Sequence, residues 1–140
     1  MRAYTVAAAA VTLKVPRKWV DNTLSHYVVP GVLQRKQGVT RKITPQAVLI
    51  LEICLELMRT LGVPLHLALE AAKALAAADE STTEPTTQLP LGPHTTLTVD
   101  IAAIMRDMNA RLANAVEVAP SPKRGRPPRP TLIVVKRVGR

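Results

Sequence analysis

Chain breakers constrain this sequence most. They fall at Pro16, Pro30-Gly31, Gly38, Pro45, Gly62 and Pro64, and they cut the first 78 residues into short pieces. Such punctuation reads as a small helical unit with a short hairpin. Thr5 can cap an alanine-rich first helix, Val6 to Leu13, because Ala is the best helix former and Thr a good cap. Lys14-Val15-Pro16 ends it, and Pro16 suits the first turn of a second short helix reaching Ser25. Val28 to Ile43 is β-branched and interrupted by Pro30, Gly31 and Gly38. It predicts two short strands joined by the basic tip Gln34-Arg35-Lys36-Gln37.

Thr44-Pro45 marks a helix start, and Gly62 marks its end. Within that third helix Val48, Leu51, Leu55 and Met58 recur at helical spacing. Ile50, Ile53, Cys54, Leu57 and Leu61 widen the apolar face, so little of the helix can be solvated. Pro64 opens a fourth helix to about Ala78. Residues 79–94, rich in Thr and Pro with Asp79, Glu80 and Glu84, show no periodicity and read as a linker. Thr95 to Val99 alternates as a strand does, and Asp100 can cap a fifth helix to about Val116. Ile101, Ile104, Met105, Met108 and Leu112 form a narrow stripe on it. Residues 95–119 are therefore expected to be a separate dimerisation or partner-binding segment. Residues 120–140 form a basic tail that includes a lone strand candidate, Thr131 to Val138.

Composition excludes several classes. A chain of 140 residues, 47% hydrophobic, suits one compact domain or a small domain with appendages, and wholesale disorder is excluded. The longest uncharged apolar run, Val6–Leu13, is far short of the roughly 20 residues a membrane span needs. No small-residue cleavage site follows it, so no signal peptide is expected, and the location expected is cytoplasmic and nucleoid-associated. Cys54 is the single cysteine, which excludes an internal disulfide and a cysteine zinc site. His26, His66 and His94 lack metal-ligand spacing. No metal and no cofactor are expected. Cys54 reads as a small buried hydrophobe, Trp19 as a core or rim residue, and His26 as a solvated loop histidine. Glu52 and Glu56 read as the exposed edge of the third helix, and with no histidine beside them they do not suggest an enzyme.

Charge points to a partner. The net charge is +9, distributed as +6 over residues 1–75, −4 over 76–122 and +7 over 123–140. A polyanion is implied, and nucleic acid comes first because phosphate contacts supply most non-specific affinity. Tyr4, Trp19 and Tyr27 are the only aromatics, too few for base-stacking platforms. Two short helices, a basic hairpin and a long helix form the order of a winged helix-turn-helix. The second helix, residues 16–25, would enter the major groove with Arg17, Lys18, Asn22 and Thr23. The wing, residues 34–42, would set Arg35, Lys36, Arg41 and Lys42 on phosphates.

These residues resemble the DNA-binding domain of MerR-type transcriptional regulators. The likeness rests on Tyr4-Thr5 before an alanine-rich helix and on the turn Leu13-Lys14-Val15-Pro16. It continues through the wing pattern from Arg35 through Gly38 to Arg41, the cap Thr44-Pro45 and the turn Leu61-Gly62-Val63-Pro64. It implies a mainly α fold, a wing, a double-stranded DNA partner and a dimer. Asp21-Asn22 stands where the family carries arginine followed by an aromatic. No heptad follows the fourth helix, so the family's metal or drug sensing is not implied. The tail, Lys123-Arg124-Gly125-Arg126-Pro127, is similar to an AT-hook, which implies arginines in the minor groove of A·T-rich DNA. A second reading is an antitoxin-like protein. Its C-terminal half would neutralise a partner protein while the N-terminal half represses the operon.

Overall fold

Local capping sets the first helix. In the computed structural model, which describes residues 2–34 and 40–118 (side chains to 115), Thr5 Oγ1 accepts the Ala8 N–H at 3.1 Å. That bond starts α1 (Val6–Leu13). Lys14 closes the helix in the left-handed conformation, φ 57°. After Val15 and Pro16 the chain enters α2 (Arg17–His26). A hairpin follows, β1 (Val32–Leu33) against β2 (Lys42–Ile43), antiparallel with Val32 opposite Ile43. Tyr4 and Ile43 exchange both backbone bonds at 2.8 Å, so the hairpin is tied to the residue just ahead of α1.

Gly31 fastens the other end of this hairpin. Its carbonyl accepts the Thr44 N–H at 3.0 Å and the Thr44 hydroxyl at 2.8 Å, while Thr44 Oγ1 also caps α3 (Pro45–Leu61). Gly31 has φ +91°, and a Cβ there would run into Thr44 Oγ1. Gly31→Ala is therefore expected to lower unfolding free energy by about 1–3 kcal/mol. Chemical denaturation should show a lower midpoint at unchanged slope.

α3 is the centre of the molecule. Its residues 47–55 are all buried, as is Leu57. A helix apolar around most of its circumference must be covered on several sides. Gly62, φ 68°, ends α3 and lets α4 (Leu65–Asp79) fold back along it, with Ala68, Leu69, Ala72, Leu75 and Ala76 buried. α1 and α5 (Ile101–Val118) cover further sides. Cys54 is fully buried in this core, and burial pushes its thiol up to about 11.

The chain after α4 departs from expectation in two places. Residues 79–94 are not simply a linker. β3 (Thr87–Gly92) lies within them and pairs antiparallel with β4 (Thr95–Val99), Leu89 opposite Leu97. Thr87 is buried and Leu89, Leu97 and Val99 pack on the core. Nor is α5 a separate segment. Ile101 and Met108 belong to the same core as α1, α3 and α4, and Leu112 and Ala115 are buried too. The reason is geometric: α4 leaves part of α3 open, and the apolar stripe of α5 closes it.

Glu52 secures that docking and is not an exposed edge. It is buried, and Arg111 of α5 reaches it at 2.8 Å. The same guanidinium donates to the Thr12 carbonyl at 2.7 Å, so it joins α5 to both α3 and the end of α1. A buried carboxylate needs such a partner, because an unpaired buried charge is costly. The expected fold class holds at the level of a mainly helical chain: the described residues form five helices and two small antiparallel hairpins. The strand candidate Thr131 to Val138 lies outside the described residues.

Candidate nucleic-acid interface

α2 has two chemically distinct faces. Val20 and Thr23 are buried, and Trp19, Leu24 and Tyr27 pack against the core at half-burial. Arg17, Lys18, Asn22, Ser25 and His26 are exposed. The spacing explains the split: residues 19, 20, 23, 24 and 27 recur on one side of a 3.6-residue helix, which leaves the polar residues on the other.

The three-residue turn between α1 and α2 sets the angle at which that polar face is presented. Lys14 donates to the Val11 carbonyl at 3.2 Å and Val15 to the Ala10 carbonyl at 3.1 Å. Val15 then packs against the core, and Pro16 starts α2 in extended conformation. Arg59 of α3 adds a long bond to the Leu13 carbonyl at 3.5 Å. The carbonyl end of α1 is thus held by cationic side chains of α3 and α5, as favours a helix C-terminus.

Six of the expected contact residues, Arg17, Lys18, Asn22, Thr23, Arg41 and Lys42, fall among the described residues. Arg17 is exposed and pairs loosely with Asp21 at 3.8 Å, one helical turn on. Lys18 and Asn22 are exposed beside it, and Lys42 is exposed on β2. Thr23 is the correction. It is 3% exposed and its hydroxyl donates to the Trp19 carbonyl at 2.8 Å, so it belongs to the inner face and cannot reach a base. Arg41 is only 21% exposed, and its guanidinium is engaged within the protein. Arg35 and Lys36 of the wing, and Lys123, Arg124, Gly125 and Arg126 of the tail, lie outside the described residues.

His26 is the last residue of α2 and not a loop residue, and its Nδ1 donates to the Asn22 carbonyl at 2.7 Å. It joins the exposed face, as does Ser25. Neither was singled out from sequence as a contact. The signal was available, since Asn22 to His26 and Asp21 to Ser25 are both one-turn spacings on the polar side.

The proposed partner stripe on α5 is mostly spent within the chain. Ile101, Met108 and Leu112 are buried, and Ile104 and Met105 are half-buried against the core. Burial by the same chain leaves these three unavailable to a partner. An open groove of about 790 Å³ does lie between α3, α5 and β4, with Glu56, Arg59 and Asp107 on its walls. Among the described residues no group of three or more His, Cys, Asp or Glu could hold a metal ion. No described helix is long and apolar enough to cross a membrane. No protein-family model matches the chain, and no curated protein matches it.

Proposed function

We propose that this chain is a double-stranded DNA-binding transcriptional regulator of winged helix-turn-helix type. The outer face of α2 enters the major groove and the hairpin lies on the flanking phosphates. The observation that carries this reading is that face itself: Arg17, Lys18, Asn22 and His26 are exposed together on a helix whose opposite side is locked into the core. Arginine and asparagine are the side chains whose paired hydrogen-bonding groups match guanine and adenine edges. Lys42 on the neighbouring strand offers charge without base-reading geometry, as phosphate contact needs. The tail Lys123-Arg124-Gly125-Arg126 extends the proposal to the adjoining minor groove.

Enrichment of duplexes from a random pool on the full-length protein tests this reading. One family of sequences should emerge. On that site Arg17→Ala or Asn22→Ala should cost about 1–3 kcal/mol and relax the preference at one position. Lys42→Ala should weaken all duplexes about equally. A folded protein that retains no duplex even at low salt would falsify the proposal.

A further inference from the structure

Asp21 is the single acid on a helix face otherwise suited to DNA, and Arg41 is a wing cation turned inward. The two belong to one arrangement. Arg41 follows directly on the hairpin register, in which Leu33 pairs with Lys42, so it stands opposite Gln34. Its Nε donates to Gln34 Oε1 at 3.0 Å, which closes the end of the two strands. Its Nη2 donates to Ser25 Oγ of α2 at 3.0 Å, and its Nη1 reaches the Asp21 carbonyl and carboxylate at 3.4 and 3.5 Å. Ser25 is already oriented for this, because its own hydroxyl donates to the Asp21 carbonyl at 2.7 Å. One guanidinium therefore spans both strands of the hairpin and the last two turns of α2.

We infer that Arg41 is a positioning residue that fixes the hairpin to α2, with Ser25 and Asp21 as its anchors. The inference rests on the proposed reading of DNA by α2. A planar fork with several fixed donors is what this junction uses, and lysine cannot reproduce it although it carries the same charge. A rigid junction matters because two contact surfaces that read one duplex lose affinity when their relative geometry must be ordered on binding. Asp21 is then present on the DNA face to hold Arg41.

Full-length protein carrying Arg41→Lys, Ser25→Ala or both is compared with the parent on the enriched duplex and on random-sequence duplex. Amide exchange of β1 and β2 is followed without DNA. Arg41→Lys should weaken the enriched duplex about tenfold and speed hairpin exchange by a similar factor, since charged hydrogen bonds are lost. Random duplex should bind within about twofold of the parent, since the cationic charge is kept. Ser25→Ala should add almost nothing in the Arg41→Lys background, the mark of two groups acting through one bond. Parent-like binding and exchange for Arg41→Lys would overturn the inference and leave Arg41 a simple phosphate contact. Additive losses on the enriched duplex would assign Ser25 to DNA instead. If the parent binds neither duplex, the DNA reading falls, and the exchange result alone decides whether Arg41 holds the hairpin.

Discussion

Met108→Asp is expected to abolish cooperative folding of the whole chain. Met108 sits on α5 with 1% of its surface exposed, in the core shared with α1, α3 and α4. A carboxylate placed there has no described cation in the core to pair with, so it must either stay buried and unpaired or drive α5 away. Either route costs more than about 4 kcal/mol, a large part of the stability of a small domain. Detaching α5 would also break the Arg111–Glu52 pair and expose Ile101, so the loss spreads to α3. Thermal melts followed by circular dichroism should show a broad, non-cooperative transition. Arg106→Asp, on the exposed side of the same helix, should melt within a few degrees of the parent. A Met108→Asp protein that melts like the parent but changes sedimentation would instead make the α5 stripe an interface between copies.

The second large effect is on DNA affinity. Raising salt from about 50 to 200 mM should weaken duplex binding roughly a thousandfold, as for about six phosphate contacts. The full chain carries +9, and residues 1–75 alone carry +6. Arg17, Lys18 and Lys42 are exposed on or beside α2, whereas Arg41 is held by Ser25 and Gln34 and contributes less. Titration by fluorescence anisotropy at several salt concentrations gives the slope directly. Tight binding with a slope near zero would mean that phosphate contacts are not the source of affinity, and the proposed interface would be wrong. The full chain is the right material, because a fragment ending at residue 78 would lose Ile101 and Met108 from its core.

Much of the architecture is legible along the chain because its causes act within a few residues. Thr5 and Thr44 cap α1 and α3 through bonds three residues away, and Gly62 stops α3 through its own left-handed backbone. α1 and α3 accordingly begin and end where their caps and breakers put them. The exposed face of α2 follows from helical periodicity alone, apart from Thr23, whose hydroxyl made an inward position look like a polar contact.

What depends on distant partners could not be read this way. β3 contains Pro90 and Gly92 and has little β-branched character, so it is a strand only because β4 pairs with it. Glu52 looks like a solvated edge until Arg111, 59 residues away, is brought against it. Arg41 looks like one more wing cation until folding sets it beside Ser25, 16 residues back. The stripe on α5 has the same apolar pattern whether it faces another protein or its own core. Caps, breakers and periodicity are short-range properties of the chain. Which apolar face covers which, and which charge meets which, is settled only when the packed core fixes the relative positions of the helices.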